Sequence, residues 1–341
     1  MSFDWGPLAV RARGLMTHLL DRATLERLSR VENRTRLREI LEDGPRHDLV
    51  STLGTQPVRF HERALIRSVA ARFALLYRWA YPRADVLDAV FLPFDARTLR
   101  GIARGISGGM PPEDRIRDAV PTPTLDVGSL RFLSESTSVQ ALGATLTAWG
   151  HPLAEGLTEI EAGVSGRPDL FAVEAGLGRA SSRAVVEAAR RGDDPLRRWA
   201  NEEVDAWNVV AALVLASVRG EMDPRGLYVE GGTVLGPEDF LAATESEGRL
   251  EAYRVLEGVT RGTLFATALE QARSERGTPG AAATALEKAI LDARIDRLAG
   301  ETRRHPLSSA PVLLYVSRNV REVRVLRRAL WRTGLPSRRA S

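Results

Sequence analysis

Cysteine is absent from all 341 residues. That excludes disulfides and thiolate metal sites from the outset. Lysine is almost absent: of the 48 basic residues only Lys288 is not arginine. No glycine-rich run leads into Lys288, so the phosphate-binding spelling G-x-x-x-x-G-K-[ST] is missing. The five histidines, at positions 18, 47, 61, 151 and 305, never fall three or four residues apart, and no zinc site is expected from them. Aromatics make up 6%, few for a chain built of strands. The most apolar run, residues 209–218, is half of the roughly 20 residues that span a bilayer, so no membrane-crossing helix is expected. The N-terminus lacks the apolar core of a signal peptide.

What is present is a globular, helix-favouring mixture. Apolar residues make up 44% and charged residues 27%, and alanine, leucine and arginine dominate. The length exceeds what one core usually serves, which predicts two or three subdomains. The net charge is +4 and the pI about 9.9. Acids and arginines interleave rather than segregate, so the excess reads as solvated helix faces and no nucleic-acid partner is expected.

Residues 95–111 are the most legible stretch. Leu99, Ile102, Ala103 and Ile106 make one apolar helical face. Arg97, Arg100 and Arg104 form a basic row beside it, and Gly108, Gly109 and Pro111 end the helix. Asp95, following Pro93, reads as the N-cap.

The pattern repeats. An acid followed three positions later by a small residue and then an aliphatic one occurs at Asp95, Asp205 and Glu322. A second mark, a glutamate opening a helical run, occurs at Glu62, Glu174 and Glu287. A third opens a short helix at Thr24, Ser129 and Asp239. The order is the same three times, with a period too long for the short solenoid repeats. The reading is all-α: three helical units at 1–112, 113–222 and 223–341. A small hairpin near 227–235, around Gly231 and Gly232, is the one strand-like piece expected.

Catalytic constellations are hard to find. Gly105-Ile-Ser-Gly-Gly has the G-x-S-x-G spelling, but Ser107 ends an arginine-rich helix instead of following a strand. Carboxylate pairs such as Glu202–Glu203 and Asp193–Asp194 read as acids at helix starts or turns. Neither favours an enzyme, and an all-α hydrolase built on Ser107 is the weakest of the readings.

The C-terminal segments Leu286-Glu-Lys-Ala-Ile-Leu-Asp, Pro311-Val-Leu-Leu-Tyr-Val, Arg321-Glu-Val-Arg-Val-Leu-Arg and Gly334-Leu-Pro carry a family resemblance. So do Arg97-Thr-Leu-Arg-Gly-Ile-Ala-Arg-Gly and Val204-Asp-Ala-Trp-Asn-Val. Together they resemble the AC39-like family, which is the C subunit of the archaeal and bacterial V-type (A-type) ATP synthases and the d subunit of the vacuolar enzyme. Val325 departs from the asparagine usual there.

The resemblance implies three bundles about a pseudo-threefold axis, forming a funnel. It implies a non-catalytic rotor protein, without cofactor, peripheral to the cytoplasmic face of the membrane. Its partners would be the central shaft (subunits D and F) and the membrane proteolipid ring, between which it passes torque for proton or sodium transport. Arg97, Arg100 and Arg104 in the first unit, and Arg321, Arg324 and Arg328 in the third, are the candidate partner-interface residues, because guanidinium pairs bidentately with carboxylates. The second unit has Val209, Ala212, Leu213 and Ala216 instead, which predicts a more buried helix. On charge alone, a stand-alone helical adaptor for an acidic protein or surface remains the alternative.

Overall fold

Six helices of twenty residues or more carry the architecture: Val58–Trp79, Asp88–Ser107, Leu170–Ala189, Asp194–Ser217, Pro279–Arg304 and Ala310–Gly334. They belong to a computed structural model that describes residues 3–334 apart from 43, 51–52, 54–55, 159–168, 219–222 and 276. The six fall into three consecutive pairs. Short helices precede each pair: Arg22–Ser29 and Arg34–Glu42, Val127–Ser134 and Val139–Ala148, Pro237–Thr244 and Arg249–Val259. The chain is all-α. Among the described residues there is no strand, only an isolated bridge between Leu53 and Gln56.

Local chemistry sets the helix starts. Asp193 accepts from the Leu196 N–H, with Pro195 in the first turn. Thr278 accepts from the Ala281 N–H, with Pro279 leading. Asp21 and Asp126 cap the first two short helices by accepting from Thr24 and Ser129. The third repeated mark of the sequence is therefore the third residue of each short helix, three positions after the cap position, which is Asp21, Asp126 and, without a side-chain bond, Gly236.

The second helix of each pair packs on the first helix of the next. Asp88–Ser107 lies against Leu170–Ala189, and Asp194–Ser217 against Pro279–Arg304. Ala310–Gly334 returns to Val58–Trp79 and to the opening helix Gly6–Met16. The apolar core follows this course. Leu28, Leu37, Leu41 and Leu65 from the N-terminal region share one cluster with Leu326 and Leu330 from the last helix. Each fully buried leucine contributes about 1.5–3 kcal/mol of transfer free energy, so closure of the two chain ends rests on several such side chains.

The structure changes two local readings. Asp95 is not an N-cap: the helix begins at Asp88, with Pro93 inside it, and Asp95 is 1% exposed. A 3₁₀ turn over Ala84–Leu87 feeds that earlier start. The predicted helix end does hold. Gly109 has φ 68°, and the Met110 and Gly109 N–H groups return to the carbonyls of Gly105 and Ile106, a Schellman ending.

Residues 227–235 form no hairpin, because their backbone donors bind the side chains of Asp205 and Asn208 instead of a second strand. Two short helices, Arg249–Val259 and Leu264–Ala272, are separated where Gly262 takes φ 76°. Of the Gly-Leu-Pro ending, the residues after Gly334 lie outside those described.

Candidate partner-binding cavity and its buried carboxylates

The three acids of the repeated mark are all buried, and each does the same local job. Asp95 accepts hydroxyl hydrogen bonds from Thr122, at 2.6 Å, and Thr124, at 2.5 Å. Asp205, with no exposure at all, accepts three backbone N–H bonds, from Thr233 at 2.9 Å and from Val234 and Leu235 at 3.1 Å. Glu322 accepts the Leu20 N–H at 2.5 Å and the Arg46 Nε–H at 2.8 Å. In every case the donors include the segment that leads into a pair of short helices. Buried carboxylates are tolerable because each oxygen is met by donors. Asn208, three residues after Asp205, clamps the same segment: its amide donates to the Val229 carbonyl and accepts from the Val229 N–H. At Val325 no such amide exists, and the buried Asn319 on the preceding turn accepts from Arg72 instead.

The glutamates of the second mark cross between helices. Glu174 pairs with Arg100 at 3.3 Å and with Arg104. Glu62 takes Arg327, the residue five positions after Glu322, as Arg100 is five after Asp95. The corresponding position after Asp205 is Val210, so Glu287 has no such partner and reaches Arg97 at 3.8 Å.

Between the long helices lies a cavity of about 680 Å³. Its wall is apolar along Asp194–Ser217, where Val210, Ala211 and Val214 face it, and Trp199, Trp207 and Phe171 add aromatic surface. The apolar residues named for burial in this helix are buried: Val209, Ala212, Leu213 and Ala216 are each under 5% exposed.

Four of the six singled-out arginines come together here. Arg97, Arg100, Arg104 and Arg324 line the cavity. Arg100 stacks 4.3 Å from the Trp207 ring centroid. Burial pushes the Arg100 and Arg324 guanidinium groups down to about 10, leaving both charged at neutral pH. Arg321 does not join them: it sits 3.5 Å from Asp292 on the neighbouring helix. Arg328 is exposed and outside the lining.

Sequence reasoning missed Arg294, Glu203 and the aromatic wall, since no local pattern announces which face of a long helix meets a cavity. Glu202 and Glu203 are not at a helix start. They lie in the third turn, bound to Arg294 and Arg297, and burial raises the Glu202 carboxyl above its ordinary value. Ser107 is a helix-end residue whose hydroxyl donates to the Ala103 carbonyl at 3.0 Å.

Long helices paired around a partly charged cavity, with carboxylates tying each pair to the next short-helix lead-in, define a helical scaffold. No described helix is long and apolar enough to cross a membrane. The chain belongs to the ATP synthase (C/AC39) subunit family, whose model matches residues 8–332. It is similar to the V-type ATP synthase C subunit of Deinococcus radiodurans, 27% identical over 63% of this chain and 56% of that one. It is also similar to the A-type ATP synthase C subunit of Haloquadratum walsbyi, 26% identical over 83% of this chain and 81% of that one. A third relative is the A-type ATP synthase C subunit of Thermococcus kodakarensis, 24% identical over 93% of this chain and 83% of that one.

Proposed function

We propose that the chain is the non-catalytic rotor component joining the central shaft to the membrane ring of a V/A-type ATPase or ATP synthase. In this reading residues 1–112, 113–222 and 223–341 are three units about a pseudo-threefold axis. The cavity between them receives the foot of the shaft (subunits D and F). The opposite face rests on the proteolipid ring at the cytoplasmic side of the membrane, and torque passes through the helical scaffold. The chain contributes no catalytic group of its own.

The observation that carries the reading is the return of the last helix to the first elements through Glu322. It makes the third junction chemically like the two that Asp95 and Asp205 form. A scaffold that must turn between two partners without loosening needs junctions of this kind. Buried, fully hydrogen-bonded carboxylates resist local opening more than exposed ion pairs do.

A tagged copy expressed in its own cell should co-purify with the shaft, the A and B subunits and the proteolipid. Recovery of the chain without any of them would refute the reading and favour a stand-alone adaptor.

A further inference from the structure

We propose that the cavity is built to take a carboxylate from its occupant, and that Arg324 is the group that receives it. The inference rests on the shaft reading above and adds the chemistry of the contact: an acidic side chain carried on an otherwise apolar helical end.

Charge accounting inside the cavity motivates it. Among the described residues, five arginines line it (97, 100, 104, 294 and 324) against three glutamates (174, 203 and 287). The glutamates are already committed. Glu174 is held by Arg100 and Arg104, Glu203 by Arg294, and Glu287 lies nearest Arg97. Arg324 is left over: among the described residues it makes neither an ion pair nor a hydrogen bond, Glu287 and Glu203 attract it only from beyond ion-pair distance, and burial penalises its charge. A second unmet donor lies in the same wall. Arg294 is 6% exposed, and its Nη2 has no acceptor. Arg294 keeps its ion pairs to Glu202 and Glu203, so among the described lining residues Arg324 is the guanidinium without a direct partner, which is costly where burial penalises its charge.

The rest of the lining describes the remainder of the occupant. Val210, Ala211 and Val214 offer an apolar wall of small and branched side chains, and Trp207 a flat one. A free inorganic anion would gain nothing from these surfaces. A helical end that buries aliphatic side chains there while directing one carboxylate at Arg324 satisfies both parts of the cavity.

The test is binding of the full-length chain to the purified D–F heterodimer of the same rotary complex, followed by calorimetry across a range of salt. Wild type should bind. Arg324→Gln should weaken binding at least about 10-fold, as loss of one partner of a desolvated pair does, and should flatten the salt dependence. Arg254→Gln, which removes an exposed arginine outside the cavity lining, should bind as wild type does.

If wild type does not bind the heterodimer, the shaft reading itself falls, and this inference with it. If wild type binds and Arg324→Gln binds equally well, the shaft reading stands and the carboxylate contact is overturned. Equal weakening by Arg254→Gln overturns it too, since net charge alone would then explain the loss. The free Arg324→Gln chain should melt at or above the wild-type temperature. A variant that fails to fold would show that Arg324 is held by the chain's own groups, which also refutes the proposal.

Discussion

The backbone N–H of Leu20 donates a 2.5 Å hydrogen bond to Oε2 of Glu322, across 302 residues of chain. On its other oxygen Glu322 holds Arg46, which is 5% exposed. The carboxylate thereby fixes both a backbone donor and a buried cation to the last helix. Glu322→Ala is expected to cost about 3–5 kcal/mol, because Arg46 would be left as an uncompensated buried charge. Urea denaturation measures it. Arg46→Met combined with Glu322→Leu should recover most of the loss, since removing both charges leaves neither stranded.

Asp205 and Asp95 do the same job at equivalent places in the repeat, but their donors differ in kind. Asp205 meets three fixed backbone donors, with Val234 and Leu235 sharing Oδ1 and Thr233 on Oδ2. An asparagine there turns a donor toward at least one of those N–H groups. Asp205→Asn should therefore cost about 1–3 kcal/mol, the penalty for a buried unmet donor. Asp95 meets two threonine hydroxyls, which can rotate to accept from an amide. Asp95→Asn should cost under about 1 kcal/mol. A ranking in the opposite order by chemical denaturation would refute this account.

Two glycines test packing. Gly156 and Gly176 touch backbone to backbone, and a Cβ on Gly156 would stand 2.6 Å from the Gly176 carbonyl oxygen. Gly156→Ala must push the two segments apart, at about 1–3 kcal/mol. Gly14 lies exposed within the opening helix, with nothing within 4 Å of a built Cβ. Gly14→Ala should instead stabilise the chain by about 0.4–1 kcal/mol, through the unfolded state. Thermal melts of the two variants should shift in opposite directions.

Asp88 gives a pH dependence with a defined sign. Burial, reinforced by the charges of Asp85 and Asp95, raises its carboxyl from 3.8 to about 6, and its Oδ1 has no hydrogen-bond partner. The folded chain then binds this proton more tightly than the unfolded chain does. Its contribution to stability is complete below the unfolded value of 3.8 and is lost as pH rises through about 6. Relative to wild type, Asp88→Asn should gain stability steadily across that window and remain the more stable at neutral pH. Urea midpoints measured at intervals through the window check this: a difference that falls as pH rises would show the opposite sign, and a flat one would show no shift.

Much of this was legible locally because helices are local. The apolar faces, the Gly109 ending and the buried stripe at Val209, Ala212, Leu213 and Ala216 follow from a 3.6-residue period and from glycine's tolerance of positive φ. Residues 227–235 misled for a physical reason. Gly231-Gly232 between aliphatic residues is a turn signal, but the donors that a hairpin would pair were taken by a carboxylate and an amide on another helix. Pro93 misled likewise: it marks a helix start when read alone, yet the 3₁₀ turn before Asp88 had already begun the helix.

The sequence by itself determined the all-α class and the spacing of the acids at 95, 205 and 322 and of the glutamates at 62, 174 and 287, because both are patterns along one chain. What those side chains bind was decided only by the tertiary structure. Asp95 and Asp205 reach segments that follow them, whereas Glu322 reaches back to Leu20 and Arg46 at the opposite end of the chain. The arginine rows divide in the same way. Helical spacing set them side by side, but the packing of neighbouring helices sent Arg321 to Asp292 and left Arg324 facing the cavity. Spacing fixes which face of its own helix a residue occupies, and only the fold supplies what that face meets.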